Sequence, residues 1–276
     1  MSTFSDLWQQ RYGAAPAVPP AAAPADGAAV IDQLLAHRSV RAFLPDALPA
    51  GTLQTLVAAA QSAASSSNLQ TWSVVAVQDP ARKARLAAWA NHQAHIQQVP
   101  LFLVWLADLS RLDRTAARLG REAAANRYLE MFLVAAVDTA LAAQNAVVAA
   151  EALGLGTVYI GALRNQAAQV AAELQLPPNA FPLFGLCVGH PDPARPAAIK
   201  PRLSQPAVLH HEHYAPAAEA AAVAAYDTLI QAFQRSQGQP PLAWSQQASQ
   251  RVAGADSLSG RHRLAEVLRA QGFALE

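Results

Sequence analysis

Residues 131–165 read MFLVAAVDTALAAQNAVVAAEALGLGTVYIGALRN, and the order of elements in this stretch decides the fold. Residues 128–153 form one long helical pattern in which Asp138, Asn145 and Glu151 fall seven and six positions apart. They make a narrow polar ribbon on an otherwise apolar cylinder, which predicts a central, buried helix. Gly154 and Gly156 invite comparison with a dinucleotide fingerprint, but that motif needs a strand before it and a helix opening on it. Here a helix precedes and the β-branched run TVYIG (157–161) follows, so the two glycines read as a helix stop and turn. No Gly-Lys-Ser/Thr follows them, so a P-loop is excluded as well. Gly161, at the end of the strand, lets a flat ligand approach the backbone and receive an N–H hydrogen bond. Asn165 is placed to cap the helix QAAQVAAEL that comes next.

Outward from this stretch, helix and strand alternate. SVVAVQ (73–78) is a β-branched strand, LFLVWLAD (101–108) a continuous apolar strand covered on both faces, and PLFGLCVG (182–189) a further apolar strand. Helices are expected at 28–37, around 48–63, from Pro80 behind the Asp79 cap, over roughly 110–127, and in two or three pieces beyond residue 215. The result is a sheet of about four core strands with more helix than such a sheet needs for cover, and the surplus apolar helix surface points to burial against a second subunit. The alanine- and proline-rich run AAPAVPPAAAPADGAA (14–29) reads as a linker or extended arm, preceded by a short docked helix at FSDLWQQRY. We therefore expect an arm over 1–27 and one domain over 28–276, with a helical C-terminal extension over 215–276.

Composition narrows the function classes. The 276 residues are 53% hydrophobic and only 14% charged, with 20 basic and 19 acidic side chains and a net charge of +1. No global field attracts nucleic acid or an acidic membrane surface. One cysteine, Cys187, excludes an intrachain disulfide framework. The start MSTFSDLWQQRYG has neither a basic nor an apolar leader region, and the apolar stretch from Met131 to Gly156 is broken by Asp138, Gln144, Asn145 and Glu151. A cytoplasmic, non-membrane protein is the expectation.

Against that charge-poor background, HRSVRAF (37–43) concentrates one histidine and two arginines next to a helix end. Arg38 and Arg41, with Ser39 beside them, either grip an oxyanion or complement the helix dipole. In KPR (200–202), Pro201 imposes extended geometry, so Lys200 and Arg202 project together, as a second cationic pair or as a solvated loop. SAASSSNLQTW (62–72) offers an anion-binding nest of hydroxyls and backbone N–H groups, or an ordinary polar connector. HHEHY (210–214) lacks the spacing of a metal site and lies between proline-containing segments; no metal is expected. Cys187, in an apolar strand, reads as an inert core thiol.

Taken in order, HRSVRAF, SSSNLQTWSVV, YIGALRN, PLFGLCVGHPD and KPRL resemble the nitroreductase family, in particular its NADPH-linked oxygen-insensitive nitroreductases and flavin reductases. The resemblance spans roughly residues 28–215 and continues more loosely to RLAEVLRAQGF near the C-terminus. It implies an α+β fold with a central, mostly antiparallel sheet flanked by helices, and a homodimer with two FMN sites at its interface. It also implies that His37, Arg38 and Ser39 lie at the flavin phosphate and ribityl end, with Arg41 near N1 and O2 of the ring. Ser65, Ser66 and Ser67 match a serine-rich loop supplied by the partner subunit, and Gln93 a glutamine beside the ring. Tyr159, Ile160, Gly161, Ala162 and Leu163 match the strand end under the ring, and Lys200 and Arg202 a second phosphate clamp.

The implied activity is ping-pong reduction of nitroaromatics, quinones or flavins, with NADPH or NADH giving a hydride to flavin N5, so no protein acid–base pair is required. A dedicated flavin reductase serving a partner enzyme, or a non-catalytic flavin-binding protein, are the alternatives. Two positions depart from the subgroup pattern. Ala162 stands where a second glycine is usual, and QRSQGQPPLAWS (234–245) carries only Arg235 where an arginine-rich loop grips the NADPH 2′-phosphate.

Overall fold

The computed structural model describes residues 3–14 and 25–276. Most of the expected alanine- and proline-rich arm therefore lies outside the described residues. In chain order the elements are α1 (Phe4–Tyr12), α2 (Ala25–Leu35), α3 (Thr52–Gln61), β1 (Trp72–Val77), α4 (Pro80–Trp89), α5 (Ala94–Gln98), β2 (Leu101–Asp108), α6 (Ser110–Arg118) and α7 (Leu129–Ala152). Then follow β3 (Gly156–Ile160), α8 (Ala167–Glu173), β4 (Ala180–Gly189), α9 (Glu219–Ser236), α10 (Trp244–Arg251) and α11 (Leu264–Ala270). The helical stretch expected over 110–127 stops at Arg118, Gly120 taking a φ of +66°, and resumes only as a 3-10 turn at Ala124–Arg127. The chain divides into two compact units: residues up to Arg38 with Ala198–Leu258, and Ser39–Ala197 with Ser259–Glu276.

The second unit is built on one sheet, in the order β1-β2-β4-β3, with every neighbouring pair antiparallel. Its architecture follows from the alternation of side chains along β2. Phe102, Val104 and Leu106 face one apolar core with Leu86, Ile96, Val158, Val170 and Cys187. Leu101, Leu103 and Trp105 face the other with Leu56, Ala60, Ala142, Ala146 and Val147. Because both faces are covered, all eight residues of β2 are buried, which is why the strand reads as an unbroken apolar run. Pro182 has no N–H to give to β2, and the ladder slips there: Trp105 pairs with Phe184 and Leu106 with Pro182, leaving Leu183 out.

The residues of α7 form the helix expected over 128–153, and Gly154 ends it with a φ of +74°. By length and composition alone α7 is apolar enough to cross a membrane. Its inner face is that of a core helix: the Thr139 hydroxyl donates to Leu106 O at 3.0 Å and Asn145 Nδ2 to Ala59 O at 3.2 Å. Only that face is buried. Leu129, Leu133, Val137 and Leu141, each one turn apart, are exposed.

In the first unit, α1 opens with a Thr3–Asp6 capping box and closes on Gly13. A Cβ on Gly13 would lie 2.9 Å from the Leu229 side chain of α9, so α1 ends close against that helix. Helix α2 begins inside the stretch read as linker.

Candidate functional site

Two of the cation-bearing segments meet in the first unit. His37 and Arg38 follow the end of α2, and Lys200 and Arg202 begin the returning chain. A residue that the sequence did not single out joins them. Arg11, buried on α1, donates to Lys200 O at 2.7 Å, to Leu35 O at 2.8 Å and to His37 O at 2.8 Å. The Arg202 N–H donates back to Arg11 O at 2.8 Å. Tyr226 on α9 holds the same segment by donating its hydroxyl to Pro201 O at 2.9 Å. Among the described residues the guanidiniums of Arg38 and Arg202 reach only backbone carbonyls, of Ala36 in one case and of Lys200 and Pro201 in the other. Among the described residues no carboxylate lies within salt-bridge distance of either, so their positive charge is left for an anion.

In the second unit, residues 39–44 run along the sheet edge. Ser39 bridges to Thr157 of β3, Val40 N–H donates to Thr157 O at 2.8 Å, and Leu44 N–H to His190 O at 2.9 Å. This lays Arg41 beside the strand, exposed and with no hydrogen bond or ion pair among the described residues. Its charge reaches His95 on α5, whose pKa is lowered by burial and then by Arg41. Both effects favour the neutral imidazole, and its Nε2 is buried without a hydrogen-bond partner among the described residues. Gln93 sits at the N-cap of α5, after Asn91 and His92 with φ of 59° and 54°.

Tyr159, Ile160, Gly161, Ala162 and Leu163 close β3 and enter a 3-10 turn, Gly161–Gln166. Tyr159 meets Phe184 edge to face at 5.2 Å, while Ile160 and Leu163 are fully buried. The Cβ side of Gly161 faces only the guanidinium of Arg164, 3.4 Å away, so the backbone there is open to a ligand. Arg164 also donates to the carbonyl of Leu183, the residue left out of the ladder. Asn165 does not cap α8. The 3-10 turn moves the N-cap to Gln166, and the Asn165 amide donates instead to Asn91 Oδ1 at 3.0 Å.

The serine loop is organised by Asp138, which the sequence showed only as part of a polar ribbon. This buried carboxylate on α7 accepts from Ser65 Oγ at 2.7 Å, from Ser66 N–H at 3.1 Å, and from the Thr71 N–H and hydroxyl at 3.3 and 3.0 Å. The bonds hold a strained path in which Ser67, Asn68 and Gln70 have φ of 48°, 55° and 52°. The loop leads into β1, at the opposite sheet edge from β3. Ile160 pairs with Gly185, Gly185 with Val104, and Val104 with Val75. Three strand spacings of ~4.8 Å put β3 about 14 Å across the sheet from β1. Ser65, Ser66 and Ser67 are thus not brought to Gly161 within one copy of this unit.

What escaped the sequence has a common cause. Arg11 acts through carbonyls 24 to 189 residues away, and carbonyls have no sequence signature. An acid on an apolar helix, such as Asp138, does signal a buried partner, and the neighbouring serine loop is the nearest run of donors. Among the described residues no group of three potential metal ligands occurs. In HHEHY, His210 Nδ1 lies 3.1 Å from Ala215 O and its ring lies 4.4 Å from that of Tyr214, tilted by 50°.

Comparison with known proteins identifies the family. The nitroreductase family model matches residues 34–190, and the model of the nitroreductase family C-terminal domain matches 200–276. An NADPH-flavin oxidoreductase of Vibrio harveyi is 37% identical over 246 residues, covering 88% of this chain and 98% of that protein. An FMN reductase [NAD(P)H] of Bacillus subtilis is 38% identical over 251 residues, covering 90% and 98%. Among solved structures, B. megaterium NfrA2 superposes with a TM-score of 0.84 at 36% identity, covering 90% of this chain and 98% of that one. An NADPH:FMN oxidoreductase from Vibrio harveyi complexed with NAD+ gives 0.79 at 36% identity, covering 90% and 99%. The chain belongs to the nitroreductase family.

Proposed function

We propose that this chain is an FMN-dependent NAD(P)H oxidoreductase, acting as a homodimer on nitroaromatics, quinones or free flavins. The observation that carries the reading is the uncompensated positive charge at Arg38 and Arg202, whose guanidiniums reach backbone carbonyls and no carboxylate among the described residues. We assign the flavin phosphate to the clamp of Arg38, Lys200 and Arg202, where charge-assisted hydrogen bonds of roughly 1.5–3 kcal/mol each are enough to retain it. The opened backbone at Gly161 fits a flat, polar-edged ring.

When bound, FMN supplies the two-electron chemistry, taking electrons from NAD(P)H and passing them to the acceptor. The chain's own groups bind and tune. Arg41 places a positive charge where negative charge develops on the ring, a preorganised electrostatic effect. Ile160 and Leu163, buried, stiffen the strand end from which the Gly161 N–H points. The two-copy requirement is supported by the sheet order, which keeps Ser65–Ser67 away from Gly161 in one chain, and by the exposed apolar stripe on α7. Ser39 and Gln93 complete the proposed contacts at the ribityl and ring ends.

Purified protein should be yellow and bleach with NADPH; a colourless protein that takes up no FMN overturns the proposal. The flavin oxidoreductase and FMN reductase names of the relatives favour free flavin as one acceptor. Steady-state turnover of free FMN against nitroaromatics and quinones, with NADH and with NADPH, ranks the acceptors and donors.

A further inference from the structure

We infer that Arg11, on a helix that precedes both family-matched regions, is a positioning residue for the cofactor phosphate. The inference rests on the reading of Arg38, Lys200 and Arg202 as the phosphate ligands. All of the residues concerned belong to the first unit.

Helix α1 spans Phe4–Tyr12, whereas the family matches begin at residue 34. It is a built element. The capping box closes its start, Gly13 closes its end at a φ of +73°, and Phe4, Trp8 and Tyr12 form a ring ladder with spacings of 5.5 and 4.6 Å. Leu7 and Arg11, one turn apart, are its buried residues. Burying a guanidinium is costly unless every donor direction is met. Here the fork is met by carbonyls drawn from both cation-bearing segments: Leu35 and His37 on one side, Lys200 on the other. The return bond from Arg202 N–H to Arg11 O fixes the second segment in register with α1.

A guanidinium engaged with three carbonyls is not free to grip an anion. It sets the distance between the side chains that do. Arg38 follows His37 directly, and Lys200 and Arg202 flank the carbonyls that Arg11 and Tyr226 hold. Without Arg11 the two segments lose their common partner, and the phosphate-dependent share of flavin affinity falls while the ring-dependent share stays.

The test compares FMN with riboflavin, which has the same ring and ribityl chain but no phosphate. Flavin-stripped full-length protein is titrated with each by fluorescence quenching, as wild type, Arg11→Met, Arg11→Lys and Arg38→Ala. In Arg11→Met the Kd for FMN should rise about tenfold or more, with the Kd for riboflavin essentially unchanged, so the preference for FMN collapses as in Arg38→Ala. Arg11→Lys, a point charge that cannot bridge both segments, should fall between; it carries the test should Arg11→Met not fold. Equal loss of both affinities, or no loss, with Arg38→Ala still selective against FMN, overturns the inference. If Arg38→Ala also leaves the FMN preference intact, the phosphate reading itself is wrong.

Discussion

At the scale of single residues, three positions separate binding, tuning and packing. Arg41 has no hydrogen bond or ion pair among the described residues, and it lies between Ser39, bridged to Thr157 of β3, and Leu44, bonded to His190. Arg41→Ala should leave FMN bound and lower its two-electron potential by about 30–60 mV, the equivalent of ~1.5–3 kcal/mol. Redox titration of the bound flavin checks this, and an unchanged potential removes Arg41 from the ring. Two glycines make the complementary case. A Cβ on Gly185 would lie 2.3 Å from Cζ of the buried Phe102, in the middle of the sheet. Gly185→Ala should therefore destabilise the fold by about 1–3 kcal/mol through overpacking. At Gly161 the added methyl meets only the tip of Arg164, so Gly161→Ala should keep its melting temperature and lose flavin affinity. A Gly161→Ala protein that unfolds like Gly185→Ala would show that Gly161 serves packing and not the ligand.

At the scale of elements, helices α4 and α8 are tied across the second unit by one carboxylate. Glu173 accepts from Arg82 at 3.0 Å and from Arg85 at 2.6 and 2.9 Å. Those bonds, Arg85 foremost, hold the carboxyl down at about 2, against an ordinary 4.5. A depressed carboxylate pKa stabilises the folded state fully above the unfolded value and is lost as pH falls through the folded one. Glu173→Gln should thus melt below wild type at pH 7, the gap closing between about pH 4.5 and 2; a gap independent of pH would refute the tie. The elements themselves were largely legible. The all-buried β2, the β-branched β1 and β3 and the ribboned α7 announce themselves by periodicity, because burial on one or both faces imposes it. The Asp79–Pro80 start of α4 was equally plain, and Asp79 Oδ1 does accept from Arg82 N–H at 2.7 Å. The misplaced Asn165 cap shows the limit: a 3-10 turn and an α-helical turn share the same residues, and tertiary bonds choose between them. Asp138 was visible as an acid on an apolar helix, but its four donors come from a loop whose left-handed path no local rule predicts.

At the scale of the molecule, the sheet order and the bare stripe of α7 support the proposal that a second copy completes the site. Leu133 and Val137 are 50% and 56% exposed in the single chain. Val137→Arg should give monomers by analytical ultracentrifugation, and those monomers should lose FMN together with the second copy's serine loop. A monomer that stays yellow would place the whole site in one chain. The first unit carries a different consequence. Its halves are separated by the entire sheet, and Arg11 waits 189 residues for Lys200. Synthesis runs from the N-terminus, so α1 and α2 emerge from the ribosome long before the segment that completes them. On the proposed reading, a nascent chain that stops short of Ala198 carries all four strands of the sheet and only the Arg38 half of the phosphate grip. Flavin uptake should then mark the chains carried past that point, and chains truncated before Ala198 should purify colourless.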